Sequence, residues 1–141
     1  MLFRSEGREL KLVADDGLPE VIADRDLIAL ALRQLIDNAL KYSPPGSPVT
    51  VGAGLKDHSI VICVADRGPG IPDRERERIF EKFYRRQNVK THVPGTGLGL
   101  YIAREIVRAH GGDVWVEGDL GQGSEFCVAL PVSARSKEQP A

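Results

Sequence analysis

Residues 25–46 read RDLIALALRQLIDNALKYSPPG. Asp24 stands directly before them, a residue whose carboxylate accepts hydrogen bonds from the free N–H groups of a first helical turn. Ile28, Leu32, Leu35, Ala39 and Tyr42 recur at intervals of three and four, so a helix over 25–42 turns one apolar face toward a core. Pro44, Pro45 and Gly46 end it, because proline removes the donor that another turn needs. The same helix carries Gln34, Asn38 and Lys41 at i, i+4 and i+7, a polar stripe beside the apolar one. A polar stripe by itself is what any surface helix shows to water. A neutral Asn on it is also suited to give one hard oxygen to Mg²⁺, and Lys41, one turn on, can meet a phosphate as a point charge.

On the N-terminal side, 9–14 (ELKLVA) and 20–23 (EVIA) read as short strands around a turn at 15–19. On the C-terminal side, 49–55 (VTVGAGL) and 59–65 (SIVICVA) form an antiparallel hairpin, and the unbroken apolar character of the second predicts burial on both faces. After a loop over 67–72, Asp73 caps a short charged helix reaching Tyr84, with Ile79, Phe80 and Phe83 as its apolar face. Residues 85–97 have no periodicity and read as a loop. A helix over 97–110 turns Leu98, Ile102, Ile106 and Ala109 inward and ends at Gly111 and Gly112. Strands at 113–117 and 124–130 close the fold. The expectation is α+β: a two-layer α/β sandwich, with a mixed, mostly antiparallel sheet and about three helices on one face. Residues 1–132 make one domain, and 133–141 a polar tail.

Composition removes several classes of function. The chain has 141 residues with 42% hydrophobic, enough for one core. Its 19 Lys and Arg against 20 Asp and Glu leave a net charge of -1, so no basic field exists to hold nucleic acid or an anionic membrane. The apolar runs 27–32 and 60–65 fall far short of the roughly 20 residues of a membrane span. No signal peptide is read at the start. Cys63 and Cys127 lie in separate strand-like stretches and read as buried thiols of a reducing compartment, which implies a cytoplasmic domain. Whether a parent chain is anchored in a membrane is left open.

Fifteen glycines are more than an average chain of this length carries, and ten of them fall from Gly68 to Gly123. Asp66-Arg67-Gly68-Pro69-Gly70 follows a buried strand. A carboxylate there can accept from an exocyclic amine, and glycines let a ring approach backbone, although a plain turn has the same composition. Gly95-Thr96-Gly97-Leu98-Gly99-Leu100 joins a loop to a helix start, where free N–H groups and the positive dipole end favour an anion such as phosphate. It lacks the Lys-Ser or Lys-Thr of a P-loop and the GxGxxG of a dinucleotide fold. Arg85, Arg86 and Lys90 precede it and can close over phosphates, as they can equally be solvated charge. Gly121-Gln122-Gly123-Ser124 alone means a hairpin turn.

Together, in this order, these segments resemble the ATP-binding catalytic domain of bacterial sensor histidine kinases, a member of the Bergerat-fold superfamily that includes gyrase, heat-shock chaperone and mismatch-repair ATPases. Residues 34–46 resemble the family's N box, 66–70 its first glycine box and 79–85 (IFEKFYR) its F box; 95–100 and 121–124 resemble the second and third glycine boxes, with Ser124 where Thr is commoner. The resemblance implies ATP and Mg²⁺ as cofactors. Asn38 would be the metal ligand, Lys41 and Tyr42 would meet the phosphates and nucleotide edge, and Asp66 would receive the adenine amine. Gly68, Gly70 and Ile71 would line the base, Arg85 and the loop through Gly95 and Thr96 would cover the nucleotide, and Ser124 would close the base pocket. Gly97, Leu98, Gly99 and Leu100 would offer backbone to phosphates. Asn38, Lys41 and Arg85 would be the catalytic set.

Two departures qualify that likeness. Gln34 stands where many sensor kinases have Asn and the hydrolytic ATPases a Glu, and an amide cannot take a proton from water, so negligible hydrolysis is expected. His58, His92 and His110 are followed by Ser, Val and Gly, not by the acidic residue and Pro of the family's acceptor histidine. The acceptor would then lie on a separate dimerisation domain, with a response regulator further along, and the chain would not phosphorylate itself. A non-catalytic nucleotide-binding or docking module, or a serine kinase of the same superfamily, are the alternatives.

Overall fold

A computed structural model describes residues 2–5, 8–84, 98–118 and 123–132, with side chains from residue 14 onward. Its elements are β1 (Leu2–Ser5), β2 (Arg8–Ala14), α1 (Arg25–Tyr42), β3 (Val49–Lys56), β4 (Ser59–Asp66), 3₁₀ turns at Asp73–Glu75 and Arg78–Phe80, α2 (Gly99–Ala109), β5 (Asp113–Glu117) and β6 (Ser124–Pro131). The strands form one sheet in the order β1-β2-β3-β4-β6-β5. Only β2 and β3 run parallel; the other neighbours are antiparallel. Parallel neighbours need a long crossover, and α1 is that crossover, which makes the expected α+β sandwich a mixed one.

The crossover also explains a correction. Residues 20–23 are not a strand, because the chain there climbs from the sheet to the helix layer, and Val21 packs against the core on the way. β1, which the sequence reading did not anticipate, pairs with β2 at the sheet edge.

α1 has the expected bounds, and Asp24 Oδ1 accepts from the Leu27 N–H at 3.1 Å. Its buried residues are Ala31, Leu35, Ala39 and Leu40, while Ile28 and Leu32 are partly buried. α2 begins two residues later than expected and buries Ala103, Arg104 and Val107; Ala109 is exposed. Both helices lie against one face of the sheet, closing a core that includes Val49, Val64, Val114, Val116, Phe126, Val128 and Leu130. The expected helix over 73–84 is instead two 3₁₀ turns. Pro72 precedes the first and offers no side-chain cap, the intervening Arg76 donates to the Ile71 and Gly118 carbonyls, and Phe83 takes a left-handed φ of 63°.

β3 and β4 form the expected hairpin, turning through Asp57 and His58, both at positive φ. Burial of β4 on both faces is overturned. Ile60, Val64 and Asp66 are buried beneath the helices, whereas Val61, Cys63 and Ala65 on the far face are only half-buried, because no described element covers that side. The separate thiols are overturned as well: Cys63 and Cys127 are a disulfide pair, directly opposed across β4 and β6. Sixty-four residues separate them, and the pairing of β4 with β6 rather than β5 brings them together.

Candidate functional site

Asp66 ends β4 and is 6% exposed. The turn after it folds back, so the Gly68 N–H donates to Asp66 Oδ1 at 2.7 Å. The Ser124 N–H, opposite Asp66 in the β4–β6 register, donates to the same oxygen at 3.3 Å. Two backbone donors, one from the turn after β4 and one from β6, thus fix the carboxylate plane. Gly68 itself faces the end of α1: a Cβ there would sit 2.7 Å from the Tyr42 carbonyl oxygen and 3.0 Å from Asp66 Oδ1. Gly70 has a φ of 81°, and Gly123 a φ of 85° with the Asp66 carbonyl where its Cβ would go. Glycine at these places is a steric requirement, which separates this turn from one that merely tolerates glycine. Ile71 is buried just beyond it.

The polar stripe of α1 runs toward the same region and is only partly solvated. Gln34 and Asn38 are half-buried, and Gln34 Oε1 stands 2.7 Å from where a Cβ on Gly99 would lie, so the first turn of α2 meets α1 at this amide. Lys41 is exposed in the last turn of α1 and Tyr42 is half-buried at its end. Leu98 and Leu100 flank Gly99 at the start of α2, whose first N–H groups carry no side-chain cap. Among the described residues, the buried Asn38 Nδ2 and Ser124 Oγ have no hydrogen-bond partner. Buried polar atoms in that condition are costly unless a ligand completes them. Arg85, Gly95, Thr96, Gly97 and Gly121, with Arg86, Lys90, His92 and the tail, lie outside the described residues.

Three side chains that the sequence reading passed over hold this region together. Arg76 donates to the Gly118 carbonyl at 2.9 Å and pairs with Asp73 at 3.1 Å, tying the first 3₁₀ turn to the end of β5. Tyr84 donates to Oε1 of the buried Glu75 at 2.7 Å; burial first, then that bond, raises the phenol pKa above its ordinary value. Arg104 lies over the Phe80 ring at 4.7 Å and pairs with Glu77 and Asp113. Only the Asp73 and Arg76 spacing left a trace in sequence, as an i,i+3 charge pair. Of the histidines, His58 is exposed in its turn, and His110 ends α2, accepting from the Asp24 N–H at 3.0 Å.

No helix among the described residues is long and apolar enough to cross a membrane. The chain is 41% identical over 118 residues to the sensor histidine kinase WalK of Bacillus subtilis, covering 82% of this chain and 19% of that protein. It is 42% identical over 116 residues to the adaptive-response sensory kinase SasA of a Synechocystis strain, covering 82% and 30%. It therefore spans less than a third of either relative. Among solved structures, a mycobacterial sensor histidine kinase, MprB, superposes with a TM-score of 0.76 at 33% identity, covering 88% of this chain and 81% of that one. The catalytic domain of histidine kinase ThkA superposes with a TM-score of 0.74 at 29% identity, covering 88% and 80%. A family profile matches residues 23–134, from the cap of α1 past the end of β6, and so takes in the described parts of the site. With the glycine-bound carboxylate, the amide stripe and the sandwich all in that span, the chain belongs to the histidine kinase-, DNA gyrase B- and HSP90-like ATPase family.

Proposed function

We propose that this domain binds Mg-ATP and donates the γ-phosphoryl group to a histidine carried by a separate helical dimerisation domain, from which a response regulator takes it. The observation that carries the reading is Asp66, buried and held by the N–H groups of Gly68 and Ser124 beside backbone that no Cβ can approach. Such a carboxylate accepts from an exocyclic amine, and the glycines let the turn pack closely enough against the end of α1 to hold it in place. The Ser124 hydroxyl and Asn38 Nδ2, buried without hydrogen-bond partners among the described residues, fit the base and phosphate ends of a nucleotide.

In this reading Asn38 holds Mg²⁺ through its side-chain oxygen, and the metal, when bound, offsets charge on the phosphates. Lys41 meets a phosphate from the exposed last turn of α1, with Tyr42 at the nucleotide edge. Gly70 and Ile71 line the base, Gly97, Leu98, Gly99 and Leu100 offer backbone to the phosphates, and Arg85, Gly95 and Thr96 belong to the segment that covers them. These groups position and neutralise, which is the larger part of catalysis in phosphoryl transfer. Gln34 abuts Gly99 as a neutral amide and supplies no base for water. A domain that uses ATP in this way works on the cytoplasmic side of the cell, whatever anchors its parent chain.

Calorimetry tests the metal assignment: Asn38→Ala is expected to lose Mg-ATP affinity by at least about tenfold while keeping its circular dichroism, as loss of one ligand of a hard cation implies. Unchanged affinity would remove Asn38 from the metal. Labelled ATP with an added histidine-bearing domain then separates a donor from a docking module, since only a donor moves label to histidine.

A further inference from the structure

On the far face of the sheet one level of the register passes through Gly52 on β3, Cys63 on β4, Cys127 on β6 and Trp115 on β5. The two central residues are opposed with Cα atoms 4.1 Å apart, in the closely spaced kind of antiparallel pair whose side chains lie nearest each other. Their surroundings differ. Cys127 is 2% exposed, flanked on its outer side by the indole of Trp115, whereas Cys63 is half-buried beside a glycine that has no side chain to cover it. Cys63 is therefore the more open of the two to a small reagent.

We propose that Cys63 and Cys127 form a reversible redox-modification site, closed by a low-molecular-weight disulfide of the glutathione class. The Cys63 thiolate, its proton lost to solvent, attacks the small disulfide. One S–S bond breaks as another forms, and a small thiolate leaves, giving a mixed disulfide on Cys63. The Cys127 thiolate then attacks the Cys63 sulfur, expelling the second small thiolate. Overall the two cysteines lose two protons and two electrons, and the small disulfide becomes two thiols. Reduction runs the same steps backward. That the pair cycles, rather than stays closed, rests on the ATP-using role proposed above, because such a domain sits among reducing thiols where protein disulfides are transient. The closed form joins β4 to β6 across 64 residues of sequence, three residues behind Asp66 and Ser124 in the register. Closing so long a loop restricts the unfolded chain and raises the melting temperature by something on the order of 10 °C.

Thiol counting in glutathione buffers tests this. The folded protein is equilibrated at graded ratios of reduced to oxidised glutathione, quenched with acid, unfolded in the presence of an alkylating reagent, and read by intact mass and peptide mapping. The expected result is two alkylated cysteines at the reducing end, a peptide pair linking Cys63 to Cys127 at the oxidising end, and full return on reduction without unfolding. Cys127→Ser should accumulate glutathione on Cys63, and Cys63→Ser should leave Cys127 unmodified. Two cysteines that stay alkylatable at the oxidising end, or a bridge that opens only on unfolding, would each overturn the proposal. So would glutathione adding to Cys127 in Cys63→Ser. ATP binding measured on the same samples keeps the two proposals apart: its absence would remove the nucleotide reading and leave the thiol result standing.

Discussion

Gly68 shows how one residue can be decided by what its neighbours leave no room for. An alanine methyl would lie 2.7 Å from the Tyr42 carbonyl and 3.0 Å from Asp66 Oδ1, so either the end of α1 or the carboxylate has to move. Gly68→Ala is expected to weaken ATP binding at least about tenfold and to lower stability by about 1–3 kcal/mol, the usual range for overpacking, read by calorimetry and urea unfolding. Asp113 poses an electrostatic question at the same scale. Burial pushes its pKa up, but hydrogen bonds from Arg108, the Val114 N–H and Arg104 outweigh that and hold it below the ordinary carboxylate value. Its folded pKa is thus lower than its unfolded one, so its contribution to stability is whole above about pH 4 and is lost as pH falls through the lowered value. Asp113→Asn should therefore cost stability at pH 7 and little near pH 3; an equal loss at both would show that the charge is irrelevant.

Among the elements, α2 depends on a side chain that a helical pattern would place in solvent. Arg104 is buried in the helix layer, its guanidinium 4.7 Å from the Phe80 ring centre and 3.1 Å from Glu77, with Asp113 at 3.2 Å. It thereby ties the second 3₁₀ turn and the start of β5 to α2. Removing a buried cation from exposed carboxylate partners costs less than breaking a fully buried pair, so Arg104→Ala is expected to lose about 2 kcal/mol by urea unfolding. Arg104→Lys should recover less than half, since an ammonium lacks the planar fork and the stacking surface. The α1 bounds, by contrast, were legible: Asp24 caps it as its chemistry requires, and the proline pair ends it. The 73–84 segment was not, because Arg76 serves a carbonyl 42 residues away and no local period encodes that contact.

For the molecule as a whole, the sandwich brings Gln34 from α1 against Gly99 of α2, and Asp66 from β4 against Ser124 of β6. With an amide where a base would be needed, steady phosphate release from ATP should stay at background in a coupled assay. Release that disappears in Asp66→Ala would overturn that expectation. The order of the motifs, the bounds of α1, the strands from β3 onward and the candidate residues Asn38, Asp66 and Ser124 were readable in sequence. Periodicity, capping and glycine placement are local, so the chain by itself determines most of its elements and the chemistry they can offer. The parallel pairing of β2 with β3, the insertion of β6 between β4 and β5, the burial of Arg104 and the meeting of Cys63 with Cys127 were decided only by tertiary structure. Each depends on which distant strands and helices share a face, and that choice is made by burying one common core, a property no short stretch of sequence contains.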